Sequence, residues 1–195
     1  MRHVVRADLL DAARRHGLTP GVANAVNESV AVAMIGSSVV MCTCSTIGGL
    51  AEAAPGANHG AAVLRVDRPM AVAAVRIGGK IVVAAALAST LASTEKLLHE
   101  EAERVGKTIE IVSYICEGAW PYFESGDLAG YIGALAKHLA RATELGDVVV
   151  LAQASMAGAA AALGKTRVPV LSSPEPGVLA ALDAYRTRTQ PLQRI

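Results

Sequence analysis

The feature that most constrains the fold is an alternation of short apolar runs with longer helix-like segments. Between the runs, apolar residues recur at three- and four-residue spacing, as in 127–146, which predicts amphipathic helices. Strands that alternate with helices form a parallel sheet covered by helices. The sequence therefore predicts an α/β protein, with strands at 37–43, 80–87, 108–115, 147–155 and 168–173 and further helices at 8–16 and 22–34.

The composition fits a buried parallel sheet and excludes some functions. Hydrophobic residues make up 52% of the chain and aromatic residues 3%, so Ala, Val, Leu and Ile must build the core. A length of 195 residues suffices for one compact domain or for two small lobes. The net charge is +1, and Lys and Arg form no basic stripe that could hold a phosphate backbone. We expect no nucleic-acid partner.

No segment resembles a signal peptide or a membrane span. Residues 1–17 carry charges every few positions, where a signal peptide needs an apolar region. The longest apolar stretches, 80–93 and 148–164, fall short of the ~20 strongly hydrophobic residues that span a bilayer. We therefore expect a cytoplasmic protein with no membrane partner. Thiols stay reduced in the cytosol, so the three cysteines are expected to be free.

The segment "VMCTCSTIGG" contains the first candidate for chemistry. Cys42 and Cys44 are too close for the usual zinc-ligand spacing, and no second Cys/His pair lies nearby, so we expect no metal. Cys42 and Cys116 are interpreted as small core residues. Cys44 differs because it begins a loop with Ser45 and Thr46 at the end of a strand. Spacing alone leaves open whether Cys44 is a base, a nucleophile or a structural residue.

A second loop rich in hydroxyl groups, with Ser89 and Thr90, follows the next predicted strand. Ser93 or Thr94 is expected to cap the helix after it. In open parallel sheets, ligands bind beyond the carboxyl ends of the strands. We therefore expect the loops that follow the strands to form the walls of one site.

Five ordered motifs together carry a family resemblance that covers nearly the whole chain. They are "CTCSTIG" at 42, "VLRVDRPMAVAAV" at 63, "ASTLASTEKLL" at 88, "VVVLAQASMA" at 148 and "VPVLSSPEPGV" at 168. The chain resembles the aspartate/glutamate/hydantoin racemase superfamily. The resemblance implies two flavodoxin-like parallel-sheet lobes related by a pseudo-twofold, with the active-site cleft between them. Residues 1–66 plus 169–195 would form the first lobe and residues 67–168 the second.

The resemblance also implies an activity and a partner. Family members move a proton next to a carboxylate without a cofactor, using one cysteine from each lobe, and they form dimers or larger rings. Cys44 matches the first of these cysteines, and Ser45 and Thr46 match residues that hold the substrate carboxylate. Ser89 and Thr90 match the corresponding loop of the second lobe. We expect a small-molecule carboxylate substrate and a homo-oligomer that partly shares helix faces such as 22–36.

The chain departs from the family pattern at the second cysteine. Gln153 occupies that position, followed by Ala154 and Ser155 as further expected substrate-binding residues. A glutamine amide cannot take up or deliver a proton as a thiol can. Three hypotheses stay open: a racemase or isomerase acting through Cys44 on an amino-acid-like or hydantoin-like substrate, a one-cysteine decarboxylase resembling arylmalonate decarboxylase, or a non-catalytic binder of small carboxylates.

A second departure lies at the N-terminus. Family members usually begin with a strand before the position that "HVVRADLL" matches, whereas this sequence starts after it. We expect either that the start is truncated or that the first lobe is remodelled.

Overall fold

A computed structural model of the chain describes residues 1–57 and 60–189. Residues 190–195 of the predicted first lobe lie outside the described residues. The strands are β1 (Val39–Cys42), β2 (Ala62–Arg65), β3 (Lys80–Ala85), β4 (Glu110–Ile115), β5 (Val148–Leu151) and β6 (Val170–Leu171). The helices are α1 (Ala7–His16), α2 (Pro20–Met34), α3 (Ser45–Glu52), α4 (Arg68–Ile77), α5 (Leu91–Arg104), α6 (Trp120–Glu124), α7 (Leu128–Ala142), α8 (Ala157–Ala162) and α9 (Pro174–Thr189).

All strand pairs are parallel and form two separate sheets, one with β1 and β2 and one with the order β4-β3-β5-β6. The predicted α/β class with parallel strands is confirmed. The chain divides into two compact units. Unit 1 comprises Met1–Val66 together with the chain from Gly177 onward, and unit 2 comprises Asp67–Pro176.

Unit 1 is built on the pair of strands β1 and β2, in which Cys42 lies opposite Arg65. The helices predicted at 8–16 and 22–34 are present as α1 and α2. In α2, three valines recur every four residues, so they share one helix face and are buried in the core of unit 1. These residues are Val22, Val26 and Val30.

Unit 2 is built around β3, which lies between β4 and β5. Because successive side chains of a strand point to opposite faces, β3 contributes to two cores. Ile81 and Val83 pack in one core with Leu97 of α5. Val82 packs in the other core with Leu139 of α7. Burial on both faces explains why the sequence of this strand is a continuous apolar run without alternation.

One expectation about local structure is wrong, and one strand was not predicted. Helix α5 begins at Leu91, before Ser93 and Thr94, because a 3₁₀ turn over Ala88–Thr90 leads directly into it. The Thr94 hydroxyl therefore lies inside the helix, where it donates to the carbonyl oxygen of Thr90 at 3.0 Å. Strand β2 was not predicted, because it is four residues long and ends in a charged residue.

The helices within residues 1–57 and 60–189 include none that is both long enough and apolar enough to cross a membrane.

The packing of α7 gives a stability prediction with an internal control. Leu139 is fully buried, whereas Leu128 of the same helix is 58% exposed. We expect Leu139→Ala to lower the free energy of unfolding by about 2–5 kcal/mol because it leaves a cavity. Leu128→Ala should change it by no more than about 0.5 kcal/mol. Denaturant unfolding followed by circular dichroism measures both, and equal losses would contradict the packing described for α7.

Candidate active site

Three junctions between a strand and a helix have the same local geometry. Cys44, Leu87 and Gln153 are each the second residue after the end of their strand, β1, β3 and β5 respectively. All three have extended backbone angles, with φ/ψ of −103/113°, −125/125° and −122/135°. In each case a helical turn begins at the next residue. The three side chains therefore occupy equivalent positions in their junctions.

In unit 1, Cys44 is the residue that precedes the first turn of α3. Its side chain makes no capping hydrogen bond, and the residue is partly exposed. Ser45 and Thr46 follow in the first turn, and both are 6% exposed. The N–H groups at a helix N-terminus carry a partial positive charge that favours anions. The structure thus brings Cys44, Ser45 and Thr46 together at the end of a helix suited to negative charge.

The other two thiols lie in different surroundings. Cys116 is fully buried in the core of unit 2, and this burial raises the pKa of its thiol to about 12. It therefore stays protonated at neutral pH. The thiol of Cys42 donates to the carbonyl oxygen of Cys44 at 3.6 Å, and its side chain packs against the core of unit 1. The interpretation of Cys42 and Cys116 as residues of the core agrees with this packing.

Arg65 is a residue of this region to which the sequence analysis gave no role. It is the last residue of β2, opposite Cys42, and it is only 4% exposed. Its Nη2 donates to the carbonyl oxygen of Ser45 at 3.4 Å. A Cβ atom at Gly48 would lie 3.2 Å from the Arg65 Cβ and Nε atoms, so the side chain packs closely on the first turns of α3. In the sequence, the two glycines after "CST" were the feature that could have indicated a side chain packed closely on this helix.

In unit 2, the two hydroxyl groups after β3 have different environments. The Thr90 hydroxyl donates to the carbonyl oxygen of Leu87 at 2.7 Å and so closes the turn. The Ser89 hydroxyl oxygen is buried and has no hydrogen-bond partner within the described part of the chain. Buried polar groups are normally satisfied, so an unpartnered hydroxyl at a strand end is a candidate for ligand binding.

The Gln153 side chain links the ends of the two neighbouring strands β3 and β5. Its Oε1 accepts hydrogen bonds from the backbone N–H of Ala86 at 2.7 Å and of Leu87 at 3.3 Å. Only the amide oxygen can accept, so these two bonds fix the orientation of the amide group. Gln153 is 8% exposed, and its Nε2 group is left to donate to another acceptor. The amide is therefore an oriented hydrogen-bond donor.

The residues after Gln153 form a 3₁₀ turn over Ala154–Met156. The Ser155 Oγ lies 3.1 Å from the hydroxyl of Tyr131, which is fully buried. Burial raises the pKa of the Tyr131 phenol, and Cys116 adds to this, while the hydrogen bond with Ser155 opposes it. Ser155 thus contacts the core of unit 2, and this contact gives its hydroxyl a structural partner.

The predicted residues therefore fall into two sets, one in each unit. Cys44, Ser45 and Thr46 lie together in unit 1. The other set lies at the carboxyl ends of β3 and β5 in unit 2: Ser89, Thr90, Gln153, Ala154 and Ser155. A shallow groove of about 290 Å³ in unit 2 is bordered by Met70, Leu171 and Glu175 and by none of these residues. Among the described residues, no cluster of three or more His, Cys, Asp or Glu side chains could hold a metal ion.

Comparisons with solved structures place this fold among racemases and a decarboxylase. A glutamate racemase isoform from Bacillus anthracis is 22% identical with a TM-score of 0.59, over 86% of this chain and 66% of that one. Allantoin racemase from Klebsiella pneumoniae is 16% identical with a TM-score of 0.60, over 95% of this chain and 71% of that one. Arylmalonate decarboxylase is 15% identical with a TM-score of 0.55, over 86% of this chain and 78% of that one.

At these identities the similarity concerns the fold. No protein-family model matches the chain, and a search of curated proteins found no match. This chain spans just under two thirds of the length of the Bacillus anthracis racemase. The chain has the fold of the aspartate/glutamate/hydantoin racemase superfamily, to which these neighbours belong, so the resemblance found in the sequence is confirmed at the level of the fold.

The surroundings of the three thiols predict a difference in reactivity. Cys44 is partly exposed at a helix N-terminus, Cys116 is buried, and Cys42 donates to a carbonyl oxygen. We expect iodoacetamide at neutral pH to alkylate Cys44 at least about tenfold faster than the other two, because the thiolate is the nucleophile. Peptide mapping by mass spectrometry measures the rate at each site. Labelling of Cys44 no faster than that of Cys42 would remove the case for a reactive thiol.

Proposed function

We propose that the chain is a cofactor-independent enzyme that moves a proton at the carbon next to a carboxylate in a small amino-acid-like or hydantoin-like substrate. Cys44 is the acid or base of the reaction. The observation that carries this proposal is the position of Cys44, partly exposed at the start of α3 after β1, in a chain with the racemase fold. The class of reaction is isomerisation, with decarboxylation as the second candidate.

The chemistry requires a base and a site for negative charge. When a thiolate takes the proton, the C–H bond breaks, the S–H bond forms and the electron pair moves onto the carboxylate oxygens to give an enediolate. Hydrogen-bond donors aimed at these oxygens lower the barrier. Ser45 and Thr46 supply hydroxyl groups beside Cys44, and the buried Ser89 hydroxyl and the oriented Gln153 amide are donors in unit 2. Within each unit, the donors named are of the kind that binds a carboxylate group.

Gln153 favours decarboxylation as the second candidate function. In that reaction the C–C bond to a carboxylate breaks, CO₂ leaves, and the enediolate takes one proton from the Cys44 thiol. One acid is then sufficient, whereas stereoinversion by two groups needs a second one. The Gln153 amide oxygen accepts from two backbone N–H groups, and the amide cannot act as an acid or base at neutral pH. Its donor role fits a reaction that uses a single thiol.

Deuterium exchange distinguishes the two reactions. In D₂O, a racemase introduces label into unreacted substrate or its mirror image, whereas a decarboxylase introduces label only into its product. We expect Cys44→Ser to lower either rate by about 10²-fold or more, because a hydroxyl is a far weaker acid and base in this role. Cys116→Ala, which removes a buried thiol with a pKa of about 12, is the matched control and should keep the rate.

Nuclear magnetic resonance and chiral chromatography follow the label and the enantiomers. Turnover by Cys44→Ser at the wild-type rate would refute the role of the thiol. Carboxylates that bind but undergo no exchange and no loss of CO₂ would favour the non-catalytic binder.

Position 153 tests whether a second proton carrier is missing. We expect Gln153→Cys to raise stereoinversion at least about tenfold above Gln153→Ser, because only the thiol can exchange a proton near neutral pH. Both variants lose the hydrogen bonds to the N–H groups of Ala86 and Leu87, so the loss of these bonds lowers the two rates alike and does not affect their ratio. Chiral chromatography of amino-acid-like and hydantoin-like substrates gives the rates. Equal rates for the two variants would remove the interpretation of Gln153 as a replaced base.

A further inference from the structure

We propose that Cys42 and Cys44 form a reversible oxidation site, at which a hydroperoxide converts the two thiols into a disulfide within one chain. The inference goes beyond the proposed function, because it concerns a modification of the protein and involves no substrate. It is carried by contacts at the end of β1, within unit 1. The third thiol, Cys116, lies in unit 2 and serves as an internal control.

The Cys42 thiol lies against the residue that bears the Cys44 thiol. Cys42 is the last residue of β1, and its Sγ donates to the carbonyl oxygen of Cys44 at 3.6 Å. A carbonyl oxygen and the Sγ of the same cysteine are roughly 5 Å apart at most, because only a few bonds join them. The two Sγ atoms are therefore no more than about 9 Å apart, and a single residue joins the two cysteines.

The short segment between the cysteines is able to close a bridge. β1 ends at Cys42 and α3 begins at Ser45, so Thr43 belongs to neither element. An extended strand places Cα atoms two residues apart at about 6.4–6.8 Å. Disulfides join Cα atoms that are about 4.4–6.8 Å apart, so this pair is within reach of a bridge after a small backbone change at Thr43. Bridges at the limit of the usual geometry are more readily reduced, and we therefore expect the oxidation to be reversible.

The three thiols differ in their access to an oxidant. Cys42 and Cys44 are both partly exposed, whereas Cys116 is fully buried. Cys44 also lies at the N-terminus of α3, where negative charge is favoured, and the thiolate is the form that attacks a peroxide. Burial raises the pKa of the Cys116 thiol to about 12, so this thiol stays protonated at neutral pH. We therefore expect Cys44 to react first and Cys42 to close the bridge.

The oxidation takes place in two steps. The Cys44 thiolate attacks the O–O bond of hydrogen peroxide, so that an S–O bond forms, the O–O bond breaks and hydroxide leaves. The Cys42 sulfur then attacks the sulfur of the resulting sulfenic acid. An S–S bond forms, the S–O bond breaks, and the hydroxyl group leaves as water with the proton of the Cys42 thiol. The two sulfur atoms together lose two electrons, which the peroxide gains, and dithiothreitol returns them on reduction.

Peptide mapping of the oxidised protein tests the proposal. The full chain is treated with a small excess of hydrogen peroxide at neutral pH, and the remaining thiols are then alkylated under denaturing conditions. We expect Cys42 and Cys44 to lose alkylation together, at least about tenfold faster than Cys116, because only they are accessible. The unreduced peptide that contains both should lack the mass of two hydrogen atoms. Dithiothreitol should restore both thiols.

Variants separate the roles of the two thiols. In Cys42→Ser the sulfenic acid at Cys44 has no thiol to attack it, so we expect its labelling by dimedone to rise at least about fivefold above the wild type. Cys116→Ala is the matched control, and it should form the bridge as the wild type does. Circular dichroism shows whether each variant is folded. If Cys42→Ser does not fold, Cys42→Ala replaces it, and the mass of the wild-type peptide tests the bridge without any variant.

Two results would overturn the inference. One is equal labelling by dimedone in the wild type and in a folded Cys42 variant, since the Cys42 thiol would then play no part. The other is oxidation that gives no bridge within the chain, whether it stops at Cys44 or links two chains, which a non-reducing gel detects. No substrate enters these measurements. A chain that forms the bridge but turns over no carboxylate would retain this inference and lose the proposed enzyme, and the reverse result would do the opposite.

Discussion

The parallel pairing of β3 with β4 and β5, buried on both faces, is the constraint on which unit 2 depends. The buried residues of a strand in this position must be apolar, because both of its faces are covered by helices. Residues 81–85 of β3 are fully buried. Residues 81, 83 and 85 pack in one core, and residues 82 and 84 pack in the other. The same pairing aligns the carboxyl ends of β3 and β5. The candidate residues of this unit therefore lie at one edge because of the packing of the sheet.

The candidate chemistry arises where these strands end. Cys44, Leu87 and Gln153 share one backbone geometry, so a single type of junction presents a thiol, an apolar group and an amide in turn. The backbone N–H of Leu87 donates to Oε1 of Gln153. The Ser89 hydroxyl has no hydrogen-bond partner within the described part of the chain. Because the three junctions share one backbone geometry, exchanging a side chain at one of these positions changes the functional group and keeps the backbone conformation.

The alternation of strand and helix patterns was sufficient to predict the class of fold and five of the six strands. The strand it missed, β2, is short and ends in Arg65, whose burial depends on pairing with β1 and on contact with Gly48. Such contacts between segments are not encoded in local periodicity. For the same reason the position of Gln153 at a strand end was predictable, whereas its hydrogen bonds with Ala86 and Leu87 were not. The start of α5 was also predicted wrongly, because the 3₁₀ turn that precedes the helix leaves no sign in the local pattern.

The side chains of Cys44 and Gln153 differ in what they can do chemically. The Gln153 amide oxygen is occupied by backbone N–H groups, so the group presents donors and accepts no proton from a substrate. A donor stabilises negative charge on a carboxylate oxygen, while the thiol of Cys44 can exchange a proton on carbon. In the proposed reaction with Cys44 as the one acid, the proton reaches the carbon from the side of that thiol. Stereochemistry is then set by the direction of approach to Cys44, and the product of a single-thiol reaction is expected to be one enantiomer.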